Sequence, residues 1–184
     1  MTTEPVLAPG FKTTPYWWLD APPRELPDSA VPAETDVAIV GSGYTGLSAA
    51  LTLARAGRRV HVLEAEHPGF GASTRNSGFV GRELRLKFSV LARRYGIERA
   101  AALAREAVAA NTYVVELIRG EQIRCHYVAC GRFVAAATPA HYEALARELA
   151  LARRHVGLDG EMVARPEQHR EIGSDLYHGG MVLA

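Results

Sequence analysis

Gly41-Ser-Gly-Tyr-Thr-Gly46 is the stretch whose residue types and spacing could do chemistry. Gly-x-Gly-x-x-Gly alone is a weak signal, but here it follows the apolar run Val37-Ala-Ile-Val40 and opens a helical pattern from Leu47 to Ala56. A second apolar run, Val60-His-Val-Leu63, follows and is closed by Glu64, 23 residues after Gly41. In that setting each glycine has a task. Gly41 permits the tight turn out of the strand, Gly43 lets a pyrophosphate approach the backbone, and Gly46 lets helix and strand pack closely. The free N–H groups and positive dipole end of the helix hold the phosphates, and Glu64 accepts from the ribose hydroxyls. Against this stands a plain strand–helix turn with no ligand; the full context favours the dinucleotide.

The motif does not by itself separate NAD from FAD. A plain NAD fold, an NAD-dependent dehydrogenase, would continue directly into a second helix and third strand. Instead Gly69-Phe-Gly-Ala-Ser-Thr-Arg-Asn-Ser-Gly78 follows, a small and polar loop against which a second long cofactor group could lie.

The elements that position these residues can be read from periodicity. Asp36–Val40, Leu47–Ala56 and Arg58–Leu63 form strand, helix and strand, a right-handed βαβ crossover, with Gly57 as a left-handed helix cap. Seven of the ten prolines lie before residue 35, which predicts an extended arm interrupted by Tyr16-Trp-Trp18. Those three rings are expected to anchor the arm, the alternative being that they cover a ligand. Ile97, Ala101, Ala104, Val108, Val115 and Ile118 recur at helical spacing. A strand pair is expected at Ile123–Val128 and Arg132–Ala137, and Thr138-Pro139 starts a helix whose core face is Tyr142, Leu145, Leu149, Ala152 and Val156. Met181-Val-Leu-Ala184 reads as the start of a strand, and only two parallel strands are strong. The expectation is an α/β fold: a Rossmann-type βαβ unit followed by the start of a mixed or antiparallel substrate-domain sheet, in a chain that is the front part of a longer protein. The regions expected are 1–34 (Pro-rich arm), 35–95 (dinucleotide-binding) and 96–184 (helices and a partial sheet).

Composition narrows the classes further. Of 184 residues, 48% are apolar and 22% charged, an ordinary globular balance. A formal net charge of +1 argues against a nucleic-acid binder. No window approaches about 20 apolar residues, which gives no membrane span. Two cysteines and no leader-like start place the chain in the cytoplasm as an expectation.

The quoted segments 36–50, 63–65 and 69–78 together resemble the FAD-dependent amine and amino-acid oxidoreductases of the D-amino-acid oxidase superfamily. Within it the likeness is to the gamma-glutamylputrescine oxidase-like and glycine/sarcosine oxidase-like groups. The Tyr-Trp-Trp arm and Ser174-Asp-Leu-Tyr-His-Gly-Gly180 are similar to theirs. The resemblance implies FAD, an amine or amino-acid substrate, and hydride transfer from the C–H next to nitrogen. It implies that Ser42, Gly43, Tyr44, Thr45 and Gly46 hold the pyrophosphate and Glu64 the adenosine ribose. Ala72, Ser73, Asn76, Ser77 and Gly78 would touch the pyrophosphate or flavin, with Gly41, Ala65, Gly71 and Arg75 in the same site. A histidine link to the flavin just after this loop has no counterpart in Asn76-Ser-Gly-Phe-Val80. Family members run to about twice this length, consistent with two-domain architecture. The isolated chain is therefore expected to retain little FAD and oxidise no amine, with a complementing C-terminal half as its partner.

Other candidates are weaker. Arg75 could pair with a phosphate or carboxylate, or stay solvated. Arg82, Arg85, Lys87, Arg93 and Arg94 read as a solvated helix face. Cys125-His126 and Cys130 are half of a metal set, and buried strand thiols are the better reading, so no metal is expected. No catalytic base is visible; His178, ahead of two glycines, is a further residue that could meet substrate.

Overall fold

The computed structural model describes residues 7–26 and 30–183. Pro5, Pro27 and Ala184, which figure in the sequence expectations, lie outside the described residues. The chain forms two compact units, one up to Phe79 and one from Val80 onward.

The first unit is built on the βαβ unit. β1 (Val37–Val40) and β2 (Val60–Leu63) pair in parallel, Val37 opposite Val60 and Val40 opposite Leu63, and α1 (Tyr44–Arg55) connects them. α1 begins three residues before the apolar periodicity does, because Gly43 already serves as its N-cap. Gly57, just past its end, takes φ +76 as expected. The strand starts are tied by Arg59, whose N–H donates to Asp36 Oδ2 at 2.8 Å and whose guanidinium meets Asp36 Oδ1 at 3.0 Å. These bonds hold the Asp36 carboxyl below the usual range, the backbone N–H of Arg59 contributing most. The arm is not extended throughout: Tyr16–Leu19 form a single 3-10 turn.

The second unit has three helices and a small sheet. α2 (Phe88–Tyr95), which lies within the region 35–95 of the sequence reading, packs here against α3 (Ile97–Gly120) and α4 (Pro139–Val156). Phe88 and Leu91 are buried with Ala100, Ala101 and Ala152. Thr138 caps α4 by accepting from His141 N–H at 3.1 Å, and Gly157 ends it at φ +66. β3 (Arg132–Ala135), β4 (Gly160–Val163) and β5 (Gly180–Leu183) form an antiparallel sheet in the order β3-β5-β4. Leu145 and Leu149 of α4 cover it, packed with Met181 and Leu183. The α/β class with a parallel βαβ unit and a separate antiparallel sheet is thus as the sequence predicts.

The strand expected at Ile123–Val128 does not form. Gln122 and His126 both take φ +52, which breaks an extended run, and β3 pairs with β5 instead. Cys125 and Cys130 accordingly lie exposed and free, not buried in a strand.

Candidate cofactor site

The strand-to-helix turn is shaped by its glycines. Gly41 takes φ +94, and its N–H extends the β1–β2 ladder to Leu63 O at 2.7 Å. A Cβ on Gly46 would lie 2.1 Å from the Gly41 carbonyl oxygen, so only glycine lets the first turn of α1 close onto the strand end. Gly43 is different: a Cβ there would meet Ser73 Oγ at 3.0 Å, on the side facing the loop.

Ser42 is buried between these glycines and joins three segments. Its N–H and hydroxyl both donate to Glu64 Oε2, at 2.8 and 2.6 Å. Its oxygen also accepts from Gly69 N–H at 3.2 Å. Glu64 Oε1 accepts from Glu66 N–H at 3.2 Å. These donors lower the Glu64 pKa to about 2. The Ser42 hydroxyl contributes most, then the Ser42 and Glu66 N–H groups, while burial opposes and Ala65 N–H adds least. The end of β2 therefore presents a fixed carboxylate beside the turn.

The loop after β2 folds back over the N-terminus of α1. Gly69, at φ +75, starts it, and Thr74 Oγ1 closes it by donating to Gly69 O at 2.5 Å. Gly71 leads into the 3-10 turn Ala72–Thr74. Ser73 Oγ accepts from Tyr44 N–H at 3.0 Å, so a hydroxyl stands where the first helical N–H groups lack an intrahelical acceptor. Thr45 is exposed on the same turn. Asn76 Nδ2 donates to Ala72 O and Ser73 O, at 3.1 and 3.0 Å, and Asn76 Oδ1 accepts from Gly78 N–H at 2.8 Å.

The structure thus brings together Gly41–Gly46, Glu64–Ala65, Gly71 and Ser73. Arg75 turns elsewhere: its Nε donates to Phe70 O at 2.9 Å and its Nη1 to Thr13 O at 2.6 Å. Ser77 lines an open cleft of about 410 Å³ together with Thr74, Arg75 and Asn76 of the loop and Tyr16 and Trp17 of the arm. Gly69 and Thr74 were not among the site residues expected from the sequence, while Trp17 was read there as an anchor of the arm. Gly69 acts through its backbone N–H and carbonyl and Thr74 through its hydroxyl on that carbonyl, pairings that a sequence pattern does not report.

The second unit offers no comparable convergence. His178 N–H is used on Ala136 O at 2.8 Å, and His169 pairs with Asp175 at 2.8 Å. Gln168 is buried and structural, donating to Ser174 O and accepting from Gly179 N–H, both at 2.9 Å. Among the described residues, no group of three His, Cys, Asp or Glu gathers to hold a metal, and no helix is long and apolar enough to cross a membrane.

Residues 36–184 match the family model described as FAD dependent oxidoreductase (DAO). The chain is 36% identical over 147 residues to gamma-glutamylputrescine oxidoreductase of Escherichia coli K12, covering 80% of this chain and 34% of that protein. It is 42% identical over 84 residues to the probable oxidoreductase OrdL of Rhizobium meliloti, covering 44% of this chain and 18% of that one. Its fold resembles glycine oxidase from Geobacillus kaustophilus, with a TM-score of 0.60 at 24% identity over 81% of this chain and 39% of that one. L-amino acid deaminase from Proteus vulgaris aligns with a TM-score of 0.60 at 18% identity over 86% of this chain and 35% of that one. The chain spans about a third or less of the length of these curated relatives.

Proposed function

The chain belongs to the DAO family of FAD-dependent oxidoreductases, and from that premise we propose that it forms the FAD-holding part of an enzyme that oxidises an amine or amino acid. FAD, not NAD, is the cofactor of this family. The residues fit it. The turn is one that a side chain at Gly46 would force open, and the α1 N-terminus already holds an oxygen, Ser73 Oγ, within hydrogen-bond distance of Tyr44 N–H.

The observation that carries the proposal is the fixed Glu64 carboxylate at the end of β2, held by Ser42 beside the N-terminus of α1. An acidic acceptor at that place suits the ribose hydroxyls and disfavours a 2′-phosphate. Gly41, Ser42, Gly43, Tyr44, Thr45 and Gly46 would form the pyrophosphate cradle. Ala72 and Ser73 close it from the loop side, Ala65 and Gly71 border it, and Asn76, Ser77 and Gly78 lead toward the flavin. Arg75 supports this loop by donating to the Phe70 and Thr13 carbonyl oxygens.

When bound, FAD supplies a hydride acceptor for the carbon next to the amine nitrogen. Ser42 keeps Glu64 oriented, and with FAD bound the loop would shield the phosphates from water while the helix dipole would offset their charge. Substrate choice and the electron acceptor belong to the protein as a whole. Gamma-glutamylputrescine oxidoreductase among the relatives supports an amine substrate. A complementing C-terminal half and a cytoplasmic setting, the latter suited to two free exposed cysteines, are parts of the same proposal.

The test is a panel of primary amines, amino acids and alcohols assayed for flavin bleaching and peroxide with the enzyme that contains this chain. Turnover of amines or amino acids is expected. Turnover of alcohols alone would overturn the amine assignment.

A further inference from the structure

The arm before β1 and the loop after β2 hold each other by reciprocal hydrogen bonds. Trp17 Nε1 donates to the Asn76 carbonyl at 2.8 Å, and Arg75 Nη1 donates back to the Thr13 carbonyl at 2.6 Å. Between these two bonds Gly78, at φ +72, lies against the indole. A Cβ there would sit 3.1 Å from Trp17 Cζ2. The neighbouring ring grips the start of the loop: Trp18 lies edge-on to His67 at 5.8 Å and tilted to Phe70 at 6.0 Å. Phe70 in turn carries the Arg75 guanidinium 4.6 Å above its ring.

The loop needs such support. Its run Gly71-Ala-Ser, then Asn76-Ser-Gly78, has small side chains that bury little of their own, and ordering each residue costs about 1–2 kcal/mol of backbone entropy. Asn76 connects the held end to the working end. Its carbonyl is the one Trp17 grips, while its side chain donates to Ala72 O and Ser73 O. Ser73 then meets Tyr44 N–H at the mouth of α1. A continuous chain of bonds therefore runs from the indole N–H to the helix terminus.

We propose that residues 13–18 are a strap that holds the 69–78 loop in its cofactor-binding shape, with Trp17 as the positioning residue. The inference rests on the FAD reading above, and it assigns Trp17 no contact with substrate or flavin. The indole does two separable things, donating one hydrogen bond and covering Gly78, so two variants divide them. Trp17→Phe keeps a ring and loses the donor; Trp17→Ala loses both.

The experiment uses the enzyme that contains this chain and measures amide hydrogen exchange across Phe70–Gly78 in its flavin-free form, together with the Kd for FAD by flavin fluorescence. Trp17→Ala should raise loop exchange by about tenfold and weaken FAD by a similar factor, with the β1–β2 ladder amides unchanged. Trp17→Phe should fall between wild type and Trp17→Ala on both readouts. Unchanged loop exchange in Trp17→Ala overturns the strap. A loosened loop with unaltered FAD affinity overturns its link to the cofactor. A wild-type protein with no FAD affinity overturns the FAD reading instead, and the exchange comparison still decides whether Trp17 holds the loop.

Discussion

Ser42 Oγ lies 2.6 Å from Glu64 Oε2, and the Ser42 N–H points at the same oxygen from 2.8 Å. Two donors from one buried residue fix a carboxylate that the motif reading assigns directly to a ribose. Because the same hydroxyl accepts from Gly69 N–H, one side chain sets the relation of turn, strand end and loop.

Ser42→Ala should therefore raise the Glu64 pKa from about 2 toward its ordinary 4.5. It should also weaken FAD binding by about tenfold, since a charge-assisted hydrogen bond orients the carboxylate. Ser42→Thr should restore both. Carbon-13 NMR titration of the Glu64 carboxyl checks this; a titration curve identical to wild type would show that the hydroxyl does not hold it.

The two glycines should separate stability from binding. Gly46→Ala forces a Cβ to within 2.1 Å of a backbone oxygen that cannot move without breaking the turn. Overpacking of this kind costs about 1–3 kcal/mol or more, and thermal unfolding should show it without ligand. Gly43→Ala meets only the Ser73 hydroxyl, at 3.0 Å, which can rotate aside. It should leave unfolding nearly unchanged and weaken FAD, because the rotated hydroxyl no longer closes the cradle. Equal destabilisation by both substitutions would contradict these roles.

Acid should loosen the first unit. Glu64 has a folded pKa of about 2 against an ordinary 4.5, and Asp36 is shifted in the same direction by Arg59. In that window the unfolded chain binds more protons than the folded one. The stabilisation is thus complete above pH 4.5 and is lost as pH falls through about 2. Unfolding followed from neutral pH downward should show the loss, and Glu64→Gln should flatten it. A Glu64→Gln profile parallel to wild type would refute the assignment.

Local signals made the βαβ unit legible. Val37–Val40, the glycine triplet, α1, Gly57 and Val60–Leu63 each mark their own boundary within one contiguous stretch. Thr138 did the same for the start of α4. Long-range pairing was not legible. The sequence set Arg132–Ala137 against the nearest apolar run, Ile123–Val128, whereas β3 pairs with β5 almost fifty residues downstream. The burial of Cys125 and Cys130 was misjudged for the same reason. At the site, the importance of Glu64 could be read from its place after β2. Its grip by the Ser42 hydroxyl could not, because nothing in the spacing says which way a buried serine turns.

Gln168 offers a test in the second unit. It is 1% exposed and serves both the Ser174 carbonyl and the Gly179 N–H next to β5. Gln168→Leu keeps the volume and strands both partners, each worth about 1–3 kcal/mol when buried without a partner. Chemical denaturation should report a loss of about 2–4 kcal/mol. A loss below about 0.5 kcal/mol would mean that water replaces the side chain, contrary to its burial.

The central claim is that residues 41–78 hold the adenosine and pyrophosphate of FAD, and its most direct test is a parallel titration, with FAD and with NAD, of the flavin-free enzyme that contains this chain. Wild type should bind FAD saturably and more tightly than NAD. Glu64→Arg should weaken that binding by about tenfold or more, and Gly43→Val should abolish it. Tighter binding of NAD than of FAD, or equal FAD affinity in wild type and both variants, would contradict the account.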